Sequence, residues 1–123
     1  MEIVTLSLTT NAAGAGTVTS SRNIGPDTAR VLSAVEWVDG TLADGGTAVL
    51  SVVNAYSGVD KTLLTLGSAL AKEDGWYYPV SAVHTNAGSA YASYTPQVIN
   101  GDLRLVVTAG GSVTTCAAHV YLE

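Results

Sequence analysis

The chain has no phenylalanine, one cysteine, three prolines, two histidines and five cationic side chains in 123 residues. Each scarcity excludes something. A lone thiol, Cys116, cannot form an intrachain disulfide, so pairing says nothing of redox compartment. Its alternating neighbours suggest a small buried hydrophobe rather than a nucleophile or thiol sensor. Arg22, Arg30, Lys61, Lys72 and Arg104 are scattered, and ten acidic residues leave a net charge of −5, which argues against a surface that tracks nucleic-acid phosphates. No apolar run approaches the ~20 residues of a membrane-spanning helix. Glu2 follows Met1 with no basic and apolar leader, so the expectation is a soluble chain made without a signal peptide. His84 and His119 stand apart, neither beside a second good ligand at a recognised spacing. No metal site and no cofactor are expected.

Only 12% of the residues are charged while 47% are apolar, a composition that can offset the entropy of ordering and excludes intrinsic disorder. The length fits a single domain over residues 1–123. Sixteen Val, fifteen Thr and three Ile favour strands, and thirteen Gly punctuate them. Residues 3–10 alternate, with Val4, Leu6 and Leu8 on one face, and a turn over 11–16 returns to 17–20, which predicts an N-terminal hairpin closed by Gly25-Pro26-Asp27.

Residues 30–38 carry apolar side chains on both faces, Val31, Val35 and Trp37 against Leu32, Ala34 and Val38, as in a strand covered on both sides. Further strands are expected at 47–54, 61–66 and 76–78, the last ended by Pro79. A loop or one helical turn follows Leu66. Asn100-Gly101 between 97–99 and 103–108 carries a hairpin signal, and residues 114–122 form a final strand with Cys116, Ala118, Val120 and Leu122 on one face. Eight or nine short strands with regular turn signals predict an all-β protein, an antiparallel β-sandwich of jelly-roll or related type, whose strand order periodicity does not fix.

Sequence signatures of catalysis are missing. Gly14-Ala15-Gly16 lacks the third glycine and the helix of a dinucleotide fingerprint, and no nucleophile elbow, Walker loop or zinc-protease motif occurs. Asp39, Asp44, Asp60, Glu73, Asp74 and Asp102 stand in or beside turns, where short carboxylates serve the backbone. The expectation is a protein that is not an enzyme. What stands out is a cluster of aromatics, Trp76, Tyr77, Tyr78, Tyr91 and Tyr94. Three consecutive aromatics on a strand must serve two faces. One reading sends Trp76 and Tyr78 into the core and leaves Tyr77 partly exposed. The other makes all five candidates for a protein interface, since Tyr and Trp combine contact area with a polar handle.

The segments Thr5-Leu6-Ser7-Leu8-Thr9-Thr10 with residues 14–20, Trp76-Tyr77-Tyr78-Pro79 leading to His84 and Ala87-Gly88-Ser89-Ala90, residues 100–107, Ala109-Gly110-Gly111 and Val120-Tyr121-Leu122 resemble a family of small tailed-bacteriophage head decoration, or cement, proteins. Val80 stands where the family pattern often has Arg. The resemblance implies a jelly-roll-like fold and a non-enzymatic virion protein. It would be made in the bacterial cytoplasm and carried on the capsid surface, where it clamps neighbouring copies of the major capsid protein. It also implies symmetric homo-oligomers; the two-faced apolar strand at 31–38 and the aromatic cluster independently predict self-association, a trimer ahead of a dimer, while charge and hydropathy predict no nucleic-acid or membrane partner. The competing expectation is a carbohydrate-binding or adhesin module in which Trp76, Tyr77 or Tyr91 stacks on sugar rings.

Overall fold

The computed structural model describes residues 1–20, 29–55, 57–84, 88 and 90–123, with the side chains of 83, 84 and 90–92 left aside. In chain order the elements are β1 (Glu2–Thr9), β2 (Gly16–Thr19), β3 (Arg30–Val38), β4 (Thr47–Asn54), β5 (Asp60–Leu66), α1 (Ser68–Ala71), β6 (Gly75–Tyr77), β7 (Val80–His84), β8 (Ala90–Pro96), β9 (Val98–Ile99), β10 (Gly101–Thr108) and β11 (Thr115–Leu122). Eight of these strands build two sheets, in the orders β1-β11-β3-β6 and β2-β10-β4-β5. The pairing is nested and antiparallel: β1 with β11, β2 with β10, β3 with β6 and β4 with β5. A chain folded as one long antiparallel ribbon and then rolled up pairs in this way, which is the wrap of a jelly roll. Among the described residues the expected eight or nine strands become eleven because the segment between β6 and β10 inserts three more. Of these, β9 pairs with Arg30 and Val31 of β3, and β7 and β8, among the described residues, pair only with each other.

Rolling corrects two expected hairpins. Apart from β4 and β5 at the closed end of the ribbon, successive strands of the nested wrap fall in opposite sheets, so β1 and β2 are joined by a tight turn without forming a ladder. Asn11 closes that turn, its backbone N–H donating to the Ala15 carbonyl at 2.8 Å and its Oδ1 accepting from the N–H of Ala13 and Ala15. Likewise Asn100-Gly101 links β9, on the first sheet, to β10, on the second. Gly101 is required there by close approach rather than by turn geometry, because a Cβ would overlap the Val53 carbonyl oxygen at the end of β4. The expected close at Gly25-Pro26-Asp27 lies outside the described residues.

The core forms where the alternating strands turn their apolar faces together. Leu103, Leu105 and Val107 of β10 and Cys116, Ala118, Val120 and Leu122 of β11 are all buried, as the period of two predicts. Each fully buried Leu or Val contributes about 1.5–3 kcal/mol. The sheets meet so closely that Val35, Trp37 and Ala118 on one side and Ala48, Leu50, Leu66 and Leu105 on the other leave a void of only about 10 Å³. The four-residue α1 is too short to stand by propensity. Its Ala71 is buried and its Ala71 carbonyl accepts a 2.9 Å hydrogen bond from the Trp37 indole N–H, so the helical turn closes one end of the roll.

The expected faces of β3 are also corrected. Tyr121 pairs with Ala34 but Leu122 pairs with Leu32, so β3 carries one extra residue, a bulge that reverses the alternation. Leu32, Val35 and Trp37 are buried inward while Val31 is 40% exposed.

Candidate functional site

The segment around β6 is where the aromatic cluster becomes a surface. β6 pairs with β3 in the register Trp37 to Gly75, Glu36 to Trp76 and Val35 to Tyr77. Paired residues share a face, so Tyr77 turns inward with Val35 and packs against the core, while Trp76 turns outward with Glu36. Trp76 is 51% exposed and Tyr78 68% exposed. The arrangement with Trp76 and Tyr78 in the core and Tyr77 outside is therefore reversed. Tyr77 can lie back along its own strand because residue 75 is glycine: a Cβ there would stand 3.0 Å from the Tyr77 hydroxyl and 3.1 Å from its ring.

On the outward face of the first sheet a cross-strand row runs Thr5, His119, Glu36, Trp76. His119 Nδ1 lies 2.9 Å from the Thr5 hydroxyl, which holds the imidazole toward β1. In the adjoining row Tyr121 pairs with Ala34, and the Tyr121 ring meets that of Trp76 with centroids 5.4 Å apart and planes inclined at 38°. Glu36 is half-buried between His119 and Trp76, and its side chain makes no hydrogen bond or ion pair among the described residues.

Below Tyr78 the chain enters the insertion. β7 and β8 form a two-stranded ribbon in which Val80 pairs with Pro96 and Ala82 with Tyr94, and the Ser81 hydroxyl donates to Gln97 Oε1 at 2.8 Å. Val80, Tyr94 and Val98 are exposed, the last beside Val31 of β3. Six of the large exposed apolar side chains, Val31, Trp76, Tyr78, Val80, Tyr94 and Val98, thus belong to β6, the insertion or the β3 residue paired with it. Of the five aromatic candidates, Trp76, Tyr78 and Tyr94 face solvent and Tyr77 faces the core. The Tyr91 and His84 side chains lie outside the description.

The sequence reading missed Glu36, Val80, Val98 and Tyr121 as parts of this surface. The outward alternation of Tyr121 was visible, but only the strand order brings it to Trp76.

The polar groups elsewhere assemble little reactive chemistry. Cys116 is buried, and burial pushes its thiol up to about 11. Asp60 pairs with Arg104 at 2.8 Å across the second sheet. Asp74 Oδ1 accepts the backbone N–H of Asp39 at 3.0 Å, and hydrogen bonding between the two carboxyl groups, with desolvation and their mutual repulsion, raises the Asp39 pKa above its ordinary 3.8. Among the described residues no group of three or more His, Cys, Asp or Glu could hold a metal ion, and no helix is long and apolar enough to cross a membrane.

Comparison of the chain with protein-family models, with curated proteins and with solved structures finds no match in any of the three. The class that the fold itself defines is an all-β jelly-roll sandwich with an inserted ribbon and an aromatic outer face.

Proposed function

We propose that the chain is a non-catalytic structural protein that binds the outside of a phage head as a homo-oligomer, a trimer ahead of a dimer, and stabilises contacts between neighbouring major capsid subunits. The observation that carries this reading is the insertion between β6 and β10. An eight-stranded roll is complete without it, yet these residues build a separate ribbon and expose Tyr78, Val80, Tyr94 and Val98 within some twenty positions of the chain. A two-stranded ribbon is marginal in water by itself, and contiguous exposed apolar surface marks an interaction site. Both point to a partner that covers the ribbon.

The resemblance in sequence to head decoration proteins supplies the partner, a repeated protein lattice. On such a lattice an oligomer gains from multivalency: once one protomer is bound, the next site is presented at high effective concentration. A clip of this kind adds interface at the joints of a shell under pressure from packaged DNA. The net charge of −5 suits a protein partner better than a polyanion.

The test is sedimentation. Purified protein should run larger than the 12.5 kDa protomer at micromolar concentration, pellet with empty phage shells, and appear in purified virions at a copy number fixed by the capsid symmetry. A single 12.5 kDa species that ignores shells but binds glycan arrays would overturn the reading in favour of a carbohydrate-binding module.

A further inference from the structure

The outward face of the first sheet is distinct from the ribbon in chemistry. Its outward positions, read from the register, are Ile3, Thr5 and Ser7 on β1, Ala117, His119 and Tyr121 on β11, Ala34, Glu36 and Val38 on β3, and Trp76 on β6. No Lys or Arg occupies any of them. The described cations are engaged elsewhere: Arg104 with Asp60, Lys72 with the Leu42 carbonyl, Arg30 at 3.9 Å from Glu2, while Lys61 lies on β5 of the other sheet. In the middle of this face Glu36 is half-buried, without a partner among the described residues, and flanked by the exposed indole of Trp76. A half-buried carboxylate with no hydrogen-bond donor of its own is costly to leave unmatched.

We propose that Trp76, Tyr121 and Glu36 form a seat for an arginine side chain presented by the protein to which this chain attaches. A guanidinium is planar, so it stacks on an aromatic face while its edge donates two parallel hydrogen bonds to a carboxylate. Trp76 and Tyr121, with centroids 5.4 Å apart, bring two aromatic rings together, and Glu36 stands beside Trp76 across the β3–β6 ladder. Charge complementarity singles out the occupant: an acidic chain with an uncommitted carboxylate on an aromatic face that carries no Lys or Arg selects a cationic group, and the flat geometry selects guanidinium over ammonium. The inference rests on the attachment reading only in that the arginine belongs to a protein surface.

The experiment uses the full chain and a blocked Gly-Arg-Gly peptide, with Gly-Lys-Gly, Gly-Gly-Gly and a neutral cello-oligosaccharide as comparisons. The readout is the pair of indole N–H signals in a nitrogen–proton correlation spectrum. Trp37, buried and bonded to the Ala71 carbonyl, is the internal control, and Trp76 is the reporter. The arginine peptide should move the Trp76 signal, leave Trp37 in place, and bind more tightly than the lysine peptide. Glu36→Gln should weaken it about two- to fivefold, and Trp76→Leu, followed through the Tyr121 ring signals, should weaken it by a similar factor while keeping the apolar area.

A Trp76 signal that ignores the arginine peptide, follows the lysine peptide equally, moves only with the oligosaccharide, or responds unchanged in Glu36→Gln would overturn the seat. Shell sedimentation is scored separately. A chain that pellets with shells but does not bind arginine refutes the seat and leaves attachment standing, and the reverse result refutes attachment alone.

Discussion

Trp76 and Tyr121 touch across the back of β3 although their strands are not neighbours, with ring centroids 5.4 Å apart. Ala34 is only 8% exposed although it pairs outward with Tyr121, as expected for a small residue roofed by larger ones. The rings therefore stabilise the outside of the sheet, while Tyr77, one residue along, serves the inside. This division predicts opposite outcomes for two adjacent truncations. Trp76→Ala should cost under about 1 kcal/mol of folding stability, the range for a cross-strand pair, yet weaken assembly or attachment. Tyr77→Ala should cost about 2–3 kcal/mol, somewhat below the ~3–5 of a fully buried aromatic. Urea unfolding and shell retention measured on both variants check the split, and equal stability losses would contradict the register.

The corner at Gly101 predicts a backbone-driven defect. A methyl group there overlaps the Val53 carbonyl oxygen and stands 3.1 Å from the Ala55 nitrogen, which itself donates to the Asn100 carbonyl at 3.0 Å. Neither strand can retreat without losing the ladder between β10 and β4. Gly101→Ala should lose about 1–3 kcal/mol or more, as over-packed sites do, seen as a lower urea midpoint. Gly67→Ala, where a Cβ meets nothing within 4 Å, is the matched control.

Strand positions were legible because alternation and turn residues are local. The expected 30–38 and 47–54 coincide with β3 and β4, the inward set Cys116, Ala118, Val120 and Leu122 is the buried set of β11, and a strand to Leu66 followed by one helical turn is what β5 and α1 form. Partner choice was not local. Glycine and Asn-Gly mark where a chain reverses but carry no information on which sheet the next strand joins, so two corners of the roll read as hairpins. The bulge in β3 was invisible for the same reason, since it is defined against β11. Of the aromatic cluster, Trp76, Tyr78 and Tyr94 are exposed while Tyr77 turns to the core, a division set by the pairing with β3, and the Glu36 and Tyr121 neighbours likewise depend on the order β11-β3-β6.

Cys116 gives a prediction in alkali. Burial lifts its thiol from 9.0 to about 11, so the folded state holds the proton more tightly than the unfolded state. With a raised pKa, the contribution is complete below pH 9.0 and is lost as pH rises toward about 11. Thermal unfolding from pH 8 to 11 should therefore fall more steeply in the native chain than in Cys116→Ala. At neutral pH a thiol reagent should label Cys116 only after denaturation, because reaction needs an exposed thiolate. Rapid labelling of the folded protein would place Cys116 outside the core.

The Asp39–Asp74 contact is the acid-side counterpart. Asp74 Oδ1 accepts the Asp39 backbone N–H at 3.0 Å and so ties the end of β3 to the turn before β6, the strand that presents Trp76. The two carboxyl groups are also close enough to hydrogen-bond. That bond needs a proton on one of them, which is why the Asp39 pKa is raised; the Lys72 charge opposes the rise only in part. By linkage, the added stability is full below the ordinary value of 3.8 and disappears as pH rises through the raised value, so at neutral pH two like charges face each other. Asp39→Asn supplies a permanent donor without the charge. It should raise the melting temperature at pH 7 and make no difference at pH 3, and Asp74→Asn should behave differently, since it risks the acceptor that holds the Asp39 N–H. Melting curves of the three proteins across pH 3–8 decide the matter. A variant Asp39→Asn that is less stable than the native chain at pH 7 would show that the pair is held by something other than the shared proton.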